Sequence, residues 1–121
     1  MMEPRLESWD HARLSVTVSY PIRDWEKNVF GAVHGGITGA IADTTMGIAC
    51  YCCTGGFTPT VSLNTSFQRP GVVGSRLFCR AEITMSGRTV IYCDCRVWDE
   101  NSPEKVISTS QGVFRNLAGD K

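Results

Sequence analysis

The segment GITGAIADTTMGIACYC, residues 36–52, sets Gly39, Ala40, Ala42, Gly47 and Ala49 among apolar neighbours and carries one charged side chain, Asp43. It does not alternate with period two and is long for a strand, so it predicts a helix. A surface helix needs a broad polar face, which this one lacks, so enclosure on several sides is expected. Each glycine weakens a helix by about 1 kcal/mol relative to alanine, which predicts close packing at Gly39 and Gly47 as compensation. A chain built around such a helix has to supply a sheet that buries it.

The flanking sequence supplies one. RLSVTVSY (13–20) alternates apolar and polar residues with the period of a half-buried strand and is ended by Pro21. TVSLNTSF (60–67) alternates Val61, Leu63, Thr65 and Phe67 with a more polar set. LFCRAEITM (77–85), TVIYCDCRVW (89–98) and KVISTSQGVF (105–114) follow, separated by the turns SGR and ENSPE. Short connections require antiparallel neighbours, because parallel pairing needs long crossovers. The predicted fold is α+β, a five-stranded antiparallel sheet with the helix on one face. A single domain over 1–121 is expected, with its core at about 13–116 and frayed ends at 1–11 and 116–121.

Twelve basic residues balance twelve acidic ones, so no overall field attracts nucleic acid or an anionic membrane. No apolar run approaches the ~20 residues of a membrane-spanning helix, and MMEPRLESWDHARL has no apolar core of a secretory signal. A cytoplasmic location is therefore expected. Cys50, Cys52, Cys53, Cys79, Cys93 and Cys95 include no CxxC pair. They are expected to be reduced, buried small hydrophobes, with a zinc or redox role as the minor alternative.

Within this frame, Asn28, Gly31, the HGG at 34–36 and Asp43 in ADTTMG resemble the hotdog-fold acyl-CoA thioesterases, especially the phenylacetyl-CoA (PaaI-like) branch that uses an aspartate on the central helix. TVSLNTSFQRPG is similar to that family's second strand with its terminal Arg-Pro, and SGRT to its cofactor-side hairpin. HGG alone is a weak signal; its spacing from Asn28 and Asp43, inside the strand-helix-four-strand order, is much stronger. The resemblance implies a sheet wrapped around one central helix and hydrolysis of a small or aromatic acyl-CoA. Coenzyme A is then part of the substrate, and no separate cofactor or metal is expected.

A thioester carbonyl under attack develops negative charge on its oxygen, and backbone N–H groups at a helix N-terminus stabilise such charge. Gly35 and Gly36 stand where the helix begins and, lacking side chains, admit close approach. The resemblance implies that the Gly35 N–H is the oxyanion donor and that Asn28 and His34 place the thioester, although a lone histidine can also merely satisfy a loop. Asp43 then attacks the carbonyl or activates water, and the residues leave that choice open. Thr60 aligns with a hydroxyl able to hold the attacking water. Arg88 and Gly87 of the SGRT hairpin, and Arg69, are candidate contacts to CoA phosphates, with solvation of a turn as the alternative for the arginines. Phe30 is a candidate for the acyl pocket. Gly47, where some relatives carry a hydroxyl, leaves room for a bulky acyl group.

Gly35 and Asp43 are eight residues apart, about 12 Å along a helix, whereas a reacting carbonyl lies within ~3 Å of its donor. If both residues act, one subunit's glycine faces another's aspartate. The expected assembly is a two-fold dimer with shared sites, associating further into a dimer of dimers. A hydratase or dehydratase would need a paired acid and base on a different motif, and a non-catalytic acyl-CoA sensor would have no use for Asp43.

Overall fold

A computed structural model describes residues 4–22, 35–68 and 76–117. Six strands and one helix follow in the order β1 (Arg5–Asp10), β2 (Ser15–Pro21), α1 (Gly35–Thr54), β3 (Thr60–Phe67), β4 (Arg76–Ser86), β5 (Val90–Asp99) and β6 (Ser102–Arg115). All pairings are antiparallel, and the spatial order is β1-β2-β4-β5-β6-β3. The α+β class and the helix-on-sheet arrangement are as expected.

The sheet has six strands rather than five. Residues expected to fray form β1, paired with β2 through Arg5↔Ser19 to Asp10↔Ser15. The turn between them uses no glycine: Asp10 Oδ1 accepts from the Arg13 N–H at 3.2 Å, and Leu14 takes a left-handed φ of 51°. That turn moves the start of β2 to Ser15. Trp9 alone among β1's apolar residues packs against the core, while Leu6 is exposed.

α1 packs mainly on β4 and β5. It buries Thr38, Ile41, Ala42, Thr45, Met46, Ala49 and Cys50, the three-and-four spacing of one helix face. Opposite them lie the inward residues of the sheet, among them Val16, Val18, Leu77, Ala81, Cys93, Val97 and Phe114. Thr45 donates to Ile41 O at 2.7 Å, so Tyr20 Oη, 2.7 Å from the same hydroxyl, is the donor there and ties β2 to the helix. Gly55, with φ of 76°, donates to Tyr51 O at 2.7 Å and ends the helix in a left-handed cap.

Among the described residues, it is the sheet that covers the helix, on one side. The helix's own nearby backbone apart, a Cβ built at Gly39 or Gly47 would meet no atom of those residues within 4 Å, so packing by those residues does not explain either glycine. Gly112 differs: a Cβ there would come within 2.7 Å of Phe114 Cε1 and 3.1 Å of Met46 Sδ. The apolar side chains expected to be half-buried on β3 are also uncovered, with Val61, Leu63 and Phe67 at 60, 40 and 56% exposure.

All six cysteines are free thiols. Cys50, Cys79, Cys93 and Cys95 are buried as expected, while Cys52 is exposed and Cys53 half-buried. No described helix is long and apolar enough to cross a membrane.

Candidate functional site

Asp43 projects from the third turn of α1 on the half-buried margin between the core stripe and the open face. Its neighbours one turn away in either direction are Gly39 and Gly47, and Tyr51, exposed, continues the line. Gly39 and Gly47 set no side chain beside the carboxylate on its own helix. Asp43 is thus half-buried rather than sunk in the core.

β3 approaches Asp43 from the side. Thr60 begins that strand opposite Phe114 of β6, and an irregularity between Thr60 and Ser62 breaks the register immediately after it. The Thr60 hydroxyl donates to Asp43 Oδ1 at 2.9 Å, so a residue 17 positions away fixes one carboxylate oxygen. Oδ2 has no hydrogen-bond partner among the described residues. A carboxylate anchored through one oxygen can attack an electrophile or take a proton from water.

Gly35 and Gly36 are the first two residues of α1. The first turn carries no acidic side chain, so no carboxylate within it offsets the partial positive charge of the helix start. Both glycines and Asp43 lie on the same continuous helix, which leaves about 12 Å between Gly35 and Asp43 along the axis. A single chain does not bring them to one carbonyl.

The hairpin of Gly87 and Arg88 lies beside the other end of α1, where Cys53 Sγ donates to Ser86 Oγ at 3.8 Å. Gly87 is needed by the turn itself: its N–H donates to Val90 O at 2.8 Å, and a Cβ would sit 2.8 Å from that oxygen. Asn116 Nδ2 donates to Gly87 O at 3.0 Å and braces the loop. Arg88 is exposed. Asn28, Phe30, His34 and Arg69 lie outside the described residues.

Two of the buried thiols, Cys93 and Cys95, are poor nucleophiles. The contact with Cys50, reinforced by burial, pushes the Cys93 thiol up, and the contact with Cys79 does the same for Cys95. Both stay protonated in the core, and the thiolate is the reactive form.

Sequence reasoning overlooked Tyr51 on the line of Asp43, and the exposed apolar surface of Tyr51, Phe57, Val61, Leu63 and Phe67. The four-residue spacing 43-47-51 was the available signal for Tyr51. Patches of this kind on a folded chain mark interaction surfaces.

Residues 30–106, more than half of the chain, match the family model described as thioesterase superfamily. No match to a curated protein was found. Among solved structures, a phenylacetic acid degradation-related protein from Ralstonia eutropha JMP134 superposes with a TM-score of 0.86 at 25% identity, covering 94% of this chain and 85% of its own. The Escherichia coli PaaI protein from the phenylacetic acid degradation operon superposes with a TM-score of 0.85 at 20% identity, covering 96% and 80%. The smu.793 protein from Streptococcus mutans UA159, bound to acetyl CoA, gives 0.84 at 18% identity, covering 93% and 87%.

Proposed function

The chain belongs to the thioesterase superfamily, and on that premise we propose that it is a cytoplasmic acyl-CoA thioesterase that hydrolyses a small or aromatic acyl-CoA to the free acid and coenzyme A. The observation that carries this reading is the Asp43 carboxylate, anchored by Thr60 at 2.9 Å on a helix whose Gly47, one turn on, adds no side chain beside it. The phenylacetic acid link of the Ralstonia relative supports an aromatic acyl group.

Asp43 acts in one of two ways. As a base it takes a proton from water while the water oxygen bonds to the carbonyl carbon; the tetrahedral intermediate then collapses, the C–S bond breaks and the thiolate leaves. As a nucleophile its oxygen bonds to that carbon, the thiolate leaves, and water cleaves the resulting anhydride. In both, charge gathers on the former carbonyl oxygen, and the Gly35 N–H of a second subunit stabilises it. The uncovered edge and apolar side chains of β3 support a dimer in which two such sites form. His34 and Asn28 orient the thioester, Gly36 keeps the helix start open, and Phe30 lines the acyl pocket. Arg88, Gly87 and Arg69 serve the CoA end.

The experiment that tests the proposal is thiol release from a panel of aliphatic and aromatic acyl-CoAs. Hydrolysis of at least one class is expected; none at all would leave a binding or sensing protein in its place. Two variants sharpen it. Thr60→Val, which removes the donor to Asp43, is expected to lower the rate about tenfold, the equivalent of ~1.4 kcal/mol for one hydrogen bond to a charged group. Thr60→Ser should retain most of it, and an unchanged rate in the valine variant would discard the anchoring role. Gly47→Leu is expected to raise KM or abolish turnover for large acyl groups while sparing acetyl; a uniform loss across the panel would contradict its place beside the acyl chain.

A further inference from the structure

The four buried cysteines fall into two pairs that the acyl-CoA chemistry does not use. Cys50 of α1 meets Cys93 of β5, and Cys79 of β4 meets Cys95 of β5. Cys79 stands opposite Val97 and Cys95 opposite Ala81, so the second pair is diagonal on the inward face of the β4–β5 hairpin, a separation that side chains leaning along the strand can span. These two do lean together: Sγ lies 2.8 Å from Sγ.

That approach is unlike the molecule's other sulfur contacts. Cys53 Sγ is 3.8 Å from Ser86 Oγ, and Cys93 Sγ is 3.7 Å from Asp94 O. Unbonded carbon atoms already settle at about 3.5–4.0 Å and sulfur is larger, so packing alone does not set two sulfurs at the closer distance. A covalent S–S bond is about 2.05 Å long, which leaves about 0.8 Å to close. The surroundings allow it, since Ala81 is the smallest inward side chain of β4 and faces Cys95. A route in exists as well. An open depression of about 580 Å³ on the outer side of the sheet is bordered by Cys95, which keeps 5% exposure while Cys79 has none.

We propose that Cys79 and Cys95 form a site of reversible oxidative modification, a dithiol that a small hydroperoxide converts to a disulfide joining β4 to β5. With hydrogen peroxide, Cys79 Sγ bonds to one oxygen as the O–O bond breaks, its thiol proton leaves with the other oxygen as water, and a sulfenic acid remains. Cys95 Sγ then bonds to Cys79 Sγ, the S–O bond breaks, and the Cys95 proton departs with the hydroxide as a second water. Two electrons pass from the thiols to the peroxide. Contact with Cys79 and burial keep Cys95 protonated, which suits the step in which the leaving hydroxide takes up a proton. A reducing thiol reverses the bond, so the pair stays reduced where glutathione dominates and closes when peroxide rises.

The disulfide would enclose 15 residues, 80–94, on the two strands that carry most of α1's packing. A loop of that size restricts the unfolded chain enough to raise Tm by about 10 °C.

The test uses a chain with Cys52→Ser and Cys53→Ser, because those exposed and half-buried thiols would consume oxidant first; four buried thiols remain. After hydrogen peroxide, alkylation of the unfolded chain should count two thiols instead of four, and peptide mapping should find Cys79 linked to Cys95. Tm should rise by about 10 °C, and dithiothreitol should return both the thiols and the Tm. Cys79→Ala on the same background should keep its three thiols and its Tm under the same treatment. Four thiols that survive peroxide, a link between any other pair, loss of thiols with no link, or a Tm that oxidation does not raise would overturn the proposal. If the alanine variant fails to fold, the mapped link and its reversal decide. If the serine background fails, the intact chain with Cys52 and Cys53 alkylated beforehand takes its place and is judged by the same outcomes.

Discussion

Asp43→Asn is expected to cut thiol release from acyl-CoA by about a hundredfold or more, with folding and particle mass unchanged. The amide has the shape of the carboxylate, and its carbonyl oxygen can still accept from Thr60, which now holds Asp43 Oδ1 at 2.9 Å. Positioning therefore survives the substitution. What disappears is a group that can bond to the carbonyl carbon or remove a proton from water, since an amide is a poor base and a poor nucleophile at neutral pH. Because Asp43 is half-buried and the amide matches it in size, the change creates neither a cavity nor an overpacked contact. Circular dichroism and light scattering on the same preparation show whether the fold is kept. Equal rates for the two proteins would remove Asp43 from the chemistry. In a single turnover in ¹⁸O-labelled water, label entering the Asp43 carboxylate requires the anhydride, whereas label confined to the acid product fits the base or an anhydride that water opens at the acyl carbon.

The helix was legible to within two residues at each end, because seventeen residues without period-two alternation leave little choice between helix and strand. Its surroundings were not legible. An apolar face predicts burial but does not say what does the burying, and Gly39 and Gly47 pointed to packing that the described residues do not supply. β3 makes the same point. Its alternation placed the strand at residues 60–67, yet Val61, Leu63 and Phe67 stand uncovered. β1 escaped notice for the opposite reason: only Trp9 meets the core, and pairing with β2 through the backbone leaves no trace in side-chain pattern. The contact between Thr60 and Asp43 links residues 17 positions apart. Resemblance suggested a hydroxyl there, but periodicity could not have joined the two, because the bond depends on how β3 lies across α1.

In the proposed β3 dimer, Leu63→Pro is expected to separate the two subunits and to lower thiol release by about a hundredfold or more. The argument starts from the backbone. Gln68 N–H donates to Ile107 O at 2.7 Å, and in an antiparallel ladder successive residues alternate between facing the partner strand and facing away. Ser66 and Asn64 then face β6, while the N–H and C=O groups of Phe67, Thr65 and Leu63 face the free edge. Proline at 63 removes an edge donor and spares every bond between β3 and β6, the one setting in which a strand tolerates it. Leu63 is 40% exposed within the chain, so its loss costs the fold little, whereas at a two-fold edge contact the same change counts twice. Each Asp43 would then lack the Gly35 N–H of its neighbour, and removal of one oxyanion donor typically costs about 10²–10³ in rate. Leu63→Ala keeps the donor and should weaken association only partly, shifting the concentration at which activity is half lost. If the proline variant holds its mass, β3 is not the contact; if it becomes monomeric with full activity, Gly35 and Asp43 do not act across subunits.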